Sequence, residues 1–186
     1  MSFIGIISNS EIYDFIKREM LKDRKSAKLE LININKNNIQ NMKNVKFETV
    51  VVCDDLIDMK SEKNYINNII NNSKFLLINT DNNINDIKIE KDNIQIITYG
   101  MNQKATVTAS SIKEDEILIC LQRNIKNINN NTIEIQEFKE KIIKKENNEI
   151  YNYLVIFILN HLYNWKNLTF LNKFNFLCRQ KPKNVL

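Results

Sequence analysis

A chain of 186 residues has room for one domain with a short extension, not for two full domains. Hydrophobic residues make up 43% and charged residues 26%, which supports a buried core and excludes wholesale disorder. With 2 Gly and 1 Pro, the composition also excludes collagen-like repeats, Pro-rich linkers and motifs built on several glycines. The formal charge is +5, but basic and acidic residues alternate along the chain, and the densest basic cluster (Lys139, Lys141, Lys144, Lys145) is broken by Glu140. That pattern reads as solvated faces, so no nucleic-acid partner is expected.

In chain order, FIGII (3–7) is a continuous apolar run, as in a strand buried on both faces. Ser8, Asn9 and Ser10 supply capping residues, and Ile12, Phe15, Ile16 and Met20 then follow helical spacing, which predicts an amphipathic helix over 10–23. AKLELININ (27–35) alternates as a strand does, and FETVVVC (47–53) is a Val-rich central strand. Tyr65, Ile66, Ile69 and Ile70 predict a helix within 61–73, and strands are expected at 74–79 and 93–100. Three strand-like runs without intervening helices come next, at 105–112, 116–124 and 132–139. A long apolar helix is predicted over 148–165, packing through Ile150, Leu154, Phe157, Ile158 and Leu162. The Asn runs at 67–68, 71–72, 82–83 and 129–131 mark loops and polar helix faces. The fold class is therefore α/β, a mixed sheet flanked by helices with a small antiparallel β extension, organised as a domain over 1–165 and a helical, basic tail over 166–186.

Cys53, Cys120 and Cys178 lie far apart without a CxxC pair, and the single His161 adds no local ligand spacing, so no metal site is expected. The cysteines read as small hydrophobes of a reducing compartment. The N-terminus carries no basic region followed by an apolar run, and the most apolar stretch (153–165) is too short and too polar at Asn160 and His161 to span a bilayer. A soluble, cytoplasmic protein without a membrane partner is expected.

Open α/β sheets place ligands beyond the carboxyl ends of their strands. The first strand-to-helix turn, GIISNSEIYDFI (5–16), has the order of a phosphate-binding loop but not its chemistry: no glycine lies between Gly5 and Arg18, and its only lysine, Lys17, sits well inside the helix. Asp54, Asp55 and Asp58 at the end of a strand are candidate cation ligands, although an acidic solvated loop explains them as well. Asn79 and Asp81 either meet a ribose or amide ligand or serve the turn that ends their strand. His161, within an apolar helix, reads as a packed or surface residue. Gly100 is expected to permit a chain reversal.

The succession FETVVVCDDLIDM (47–59), KNYINNIINNSKFLLINTDNN (63–83), IQIITYGMNQKATVTASSI (94–112) and NEIYNYLVIFILNHL (148–162) resembles the central, ATP-binding domain of the Mur ligase family. Those enzymes add amino acids to peptidoglycan precursors using ATP. Asn79 and Asp81 stand where the family's N-x-D motif falls, Thr98, Tyr99 and Gly100 reproduce its TYG strand end, and Asn152 matches the last Asn of its G-x-H-N-x-x-N helix start. The resemblance covers roughly 1–165, and it implies that the domains which flank this one in the full ligases are missing from the chain. A residual cofactor pocket would comprise Ser8, Asn9, Ser10, Asn79, Asp81 and Asn152.

The departures are chemical. The resemblance places the loop lysine at Ile12, the magnesium-binding threonine at Tyr13, the histidine of the DHLD motif at or near Asp55, and the carbamylated lysine at Ile69. The adenine-side His and Asn fall at Asn148 and Glu149. Acyl-phosphate formation needs metal and cationic groups aimed at the transferring phosphate, so ordinary ligase turnover is not expected and no catalytic residue is assigned. Three readings follow. The favoured one is a non-catalytic module, without a cofactor, acting through a protein partner or as a homodimer by way of its C-terminal region. The second is a binder of small molecules with a residual nucleotide or precursor pocket. The third is a divergent amide-bond ligase or a subunit of one, the only reading that calls for ATP and magnesium. In the tail, Leu168, Phe170, Leu171, Phe174, Phe176 and Leu177 supply apolar surface for association, and Lys173, Arg179, Lys181 and Lys183 a basic rim.

Overall fold

The first apolar run becomes β1 (Ser2–Ile7), whose side chains alternate between two buried faces: Ile4 and Ile6 join one core, Ile7 the other. A computed structural model describes residues 2–21, 29–54, 56–82, 87–142 and 149–164. Those residues contain helix α1 (Ser10–Leu21), strand β2 (Leu29–Ile34), a one-turn helix α2 (Ile39–Met42) and β3 (Thr49–Val52). Two 3₁₀ turns meeting at a kink at Met59 lead into α3 (Lys63–Asn71), followed by β4 (Phe75–Asn79) and β5 (Gln95–Tyr99). The second half holds β6 (Val107–Ile112), β7 (Glu116–Leu121), β8 (Ile125–Lys126), β9 (Thr132–Ile133), β10 (Gln136–Lys141) and α4 (Glu149–Leu162).

Among the described residues the protein is α/β, with an eight-stranded mixed sheet in the order β10-β7-β6-β5-β4-β3-β1-β2 and a small β8–β9 pair. Strands β2, β1, β3, β4, β5 and β6 are mutually parallel, and β7 runs antiparallel to both of its neighbours, β6 and β10. The expected antiparallel extension is thus continuous with the main sheet. Its junction is narrow: only Tyr99 and Val107 pair between β5 and β6, and the Thr98 and Thr106 hydroxyls meet there at 3.1 Å. Because the last residue of β5 faces the first paired residue of β6, the β6–β7–β10 meander projects past the carboxyl edge of the parallel strands.

Helices α1 and α4 cover one face and α2 and α3 the other. Of the expected apolar residues of α1, Phe15, Ile16 and Met20 are buried and Ile12 is half-buried, and Phe15 meets Tyr153 of α4 edge-on at 5.4 Å. In α3, Ile66, Ile69 and Ile70 are buried, as their spacing predicts. Helix α4 buries Ile150, Leu154, Phe157, Ile158 and Leu162 together with Val155, Ile156 and Leu159. Each such side chain contributes about 1.5–3 kcal/mol of transfer free energy. Tyr151 reaches Asp81 beyond the carboxyl end of β4, whereas Tyr163 shares a 2.6 Å hydrogen bond with Thr49 at the start of β3, so α4 runs antiparallel to the strands and clamps both edges. No helix among the described residues is long and apolar enough to cross a membrane.

The expected strand over 132–139 is in fact two. Ile133 pairs with Ile125, but from Gln136 the chain pairs with β7, and Asn124 Oδ1 holds the Ile135 amide at the break. The run 129–131 forms a turn around Asn127, whose Oδ1 accepts from the Asn129 and Asn131 amides, and Asn130 takes the positive φ (63°) that Asn tolerates. Expected helix positions 22–23, strand positions 27–28, residues 148 and 165, Asp55, Cys178 and the tail 166–186 lie outside the described residues.

Candidate functional site

The parallel strands follow a doubly wound order in which β1 lies between β2 and β3, so the topological switch falls between the carboxyl ends of β1 and β3. The turn after β1 faces the loop after β3 there. Asn9 is the residue before the first turn of α1, and its Oδ1 accepts from the Ile12 amide at 2.9 Å, an N-cap. Its carbonyl accepts the first helical bond, from Tyr13. The Asn9 amide in turn donates to Asp54 Oδ2 at 2.7 Å. A side-chain carboxylate of the protein therefore sits at the N-terminus of α1, where the amide and the helix dipole favour negative charge. Ser8 is buried and its hydroxyl donates to the Asn9 carbonyl at 3.0 Å, while Ser10 is exposed.

The ends of β4 and β5 form a second knot. Asn79 Oδ1 accepts the Asp81 amide at 3.0 Å, an Asx turn that closes β4. Asp81 Oδ2 accepts the Met101 amide from the turn after β5 and the Tyr151 hydroxyl at 3.1 Å from α4. Gly100 is where these chains touch: a Cβ there would lie 2.8 Å from both Asp81 Oδ2 and Thr80 Oγ1, and its φ of +155° suits glycine. The strands on either side of this turn, β5 and β6, are parallel, so the chain keeps its direction instead of reversing as expected, and it is close approach together with the backbone angle that requires the glycine. Asn82 Nδ2 donates to the Cys53 carbonyl at 2.9 Å, tying the two knots together.

Between them the edge is filled by neutral groups. Tyr99 is fully buried and donates to the Val52 carbonyl at 2.9 Å. Burial pushes the Cys53 thiol up to about 12 and the Tyr99 phenol well above its ordinary value. A thiol so raised is no nucleophile at neutral pH, because attack needs the thiolate. Tyr151 is also raised, by burial first and then by Asp81.

Of the residues that spacing and resemblance single out, Ser8, Asn9 and Ser10 gather at the β1–α1 turn, Asn79 and Asp81 at the end of β4, and Asn152 is buried in α4 next to Tyr151. Asn79 and Asp81 form the turn that ends β4. Asp54 is an acceptor for the Asn9 amide, and among the described residues no three His, Cys, Asp or Glu side chains converge as a metal site requires. His161 is packed: its Nδ1 lies 2.8 Å from the Phe157 carbonyl and its ring sits 4.7 Å from Phe138 and 4.1 Å from Phe157. Tyr151 stands with Ile150 in a family-like position before Asn152, but its contact with Asp81 had no sequence signal, and the only signal for Asn82 was adjacency to Asp81. No protein-family model matches the sequence, and no match is found among curated proteins.

Proposed function

We propose that the chain is a non-catalytic module built like the central domain of the Mur ligases, acting through association with a protein partner or a second copy in cell-wall precursor metabolism. The observation that carries this reading is the Asp54 carboxylate on the Asn9 amide. In a phosphate-binding turn that amide and helix end face the ligand. Here a fixed negative charge holds the position, and a phosphate charge about 4 Å from it would be opposed by about 4 kcal/mol at an effective dielectric of 20.

The pattern of likeness and departure supports the same reading. Residues that keep the family motifs, Asn79, Asp81, Thr98, Tyr99 and Gly100, all serve internal contacts at the carboxyl edge. Three positions where the family has chemistry are packing residues: Ile12 lies against the core, the Tyr13 hydroxyl donates to the Leu31 carbonyl, and Ile69 is fully buried on the other face. The scaffold is retained and the phosphate chemistry is replaced. Association is assigned to the C-terminal segment 166–186, for the apolar residues and basic rim named above.

Backbone-amide NMR with ATP and magnesium added to the full chain tests the loss of chemistry. No change is expected at residues 8–13. Micromolar binding that shifts those amides, and that is abolished by substitutions at Ser8 to Ser10, overturns the proposal in favour of a ligase. Light scattering and cross-linking of the full chain and of a chain ending at Asn164 test the association. Equal monomeric behaviour and equal capture of partners by both would remove the role of the segment.

A further inference from the structure

A different feature lies at the opposite, amino-terminal edge of the sheet. The segment between α2 and β3, the end of α3 and the residues before β4 and β5 enclose a groove of about 600 Å³. Four lysines line it, Lys43, Lys46, Lys74 and Lys91, and no acidic or aromatic side chain does. Two of the four have local partners: Lys74 Nζ lies 2.9 Å from Glu48 and Lys91 Nζ 3.1 Å from Asn72 Oδ1. Lys43 and Lys46 are exposed and have no carboxylate partner among the described residues. Glu90 and Asp92 flank Lys91 in sequence; both are exposed and neither lines the groove.

The walls are built rather than incidental. Asn71 Nδ2 donates to the carbonyls of Asn67 and Lys88, its Oδ1 accepts the Glu90 amide, and the Lys88 amide donates to Asn67 Oδ1. These bonds fasten the 87–93 segment, with Lys91, along α3. Ser73 closes the floor with its hydroxyl on the Ile70 carbonyl at 2.7 Å. One lysine near the end of α3 would suffice to complement the helix dipole. Lys43 and Lys46 come from another part of the chain and extend the positive field across the opening. Asn68 and Asn93 add amides suited to phosphate oxygens and hydroxyls.

We propose that this groove binds a small phosphorylated polyanion, a molecule carrying at least two phosphate charges. Lysine supplies compact, strongly hydrated charges that suit phosphate as point donors. The absence of an aromatic ring in the lining removes the stacking platform on which single-stranded nucleic acids rely, so a small ligand is favoured over RNA or DNA.

Amide NMR titration of the full chain with pyrophosphate and tripolyphosphate tests this, with circular dichroism to confirm folding of the variants. Shifts are expected at residues 43–46, 68–74 and 91–93, stronger for tripolyphosphate. Replacing Lys43 and Lys46 by Ala is expected to weaken binding about tenfold or more, the value of a lost charge-assisted contact. Absence of binding at millimolar probe, equal affinity in the double variant, or shifts scattered over distant lysines such as Lys139 and Lys141 would overturn the assignment. Tighter binding of an oligonucleotide than of tripolyphosphate at the same amides would overturn the small-ligand class. The groove and residues 8–13 report on separate amides, so failure here is distinguishable from failure of the proposed function.

Discussion

Glu140 is 4% exposed, and its Oε2 has no hydrogen-bond partner. It lies on β10 opposite Ile117, and its same-face neighbours along the strand are Phe138 and Ile142. Ile117 and Ile142 are themselves buried in the α4 core, and Phe138 packs against it. Burial pushes its carboxyl from the ordinary 4.5 up to about 8. At neutral pH the folded protein holds Glu140 protonated, while the unfolded chain ionises it. The native state then binds the extra proton, so stability falls as pH rises from the unfolded value through the folded one. At about 1.4 kcal/mol per pH unit, the whole window is worth on the order of 5 kcal/mol. That is a large part of the roughly 5–15 kcal/mol typical of a domain.

Glu140→Gln keeps the shape of the neutral acid and cannot ionise. Urea denaturation of both proteins at pH 5, 7 and 9 isolates this group, because titration of all other residues cancels in the difference. The two are expected to be nearly equal at pH 5. The variant should be ahead by about 3 kcal/mol at pH 7, and by somewhat more at pH 9, where the difference levels off. A difference that stays constant with pH, or a variant less stable at pH 9, would show that Glu140 ionises freely in the folded protein and would refute the reasoning.

Two further perturbations test the clamps at either edge. Gly100→Ala places a Cβ against Asp81 and Thr80, and is expected to cost about 1–3 kcal/mol, read as a lowered midpoint in thermal unfolding; an unchanged midpoint would mean that Asp81 moves aside freely. Tyr163→Phe leaves the buried Thr49 hydroxyl without its partner and is expected to cost about 1–3 kcal/mol in denaturant unfolding, whereas adding Thr49→Val should recover part of that loss.

The central strands were legible because continuous apolar runs such as Val50, Val51 and Val52 have no other economical place than a sheet covered on both sides. Helices α1, α3 and α4 were legible from periodicity. Helix α2 was not: it is one turn long, and the side chains of Asn35 and Asn38 hold its start through bonds to backbone amides and to the Asn33 carbonyl rather than through any apolar stripe. The split of 132–139 was hidden because alternation continues through Ile133 and Ile135 while the partner strand changes. The site was legible as strand ends but not as contacts. Asn9 meets Asp54 across 45 positions and Tyr151 meets Asp81 across 70, separations that no local spacing encodes. The lysine groove is assembled from three separate stretches for the same reason.

The carboxyl edge of an open parallel sheet presents backbone amides that need acceptors, and in ligand-binding members of this architecture a bound anion is one of them. In this protein three side chains meet that need: Asp54 for the turn after β1, Asn79 for the turn after β4, and Asp81 for the turn after β5. Tyr151 then locks Asp81 to α4, and Asn82 locks the end of β3. An edge closed in this way gains order from its own carboxylates, and the same charges repel an approaching phosphate. The cationic surface lies at the opposite, amino-terminal edge of the sheet, where Lys43 and Lys46 stand without carboxylate partners among the described residues.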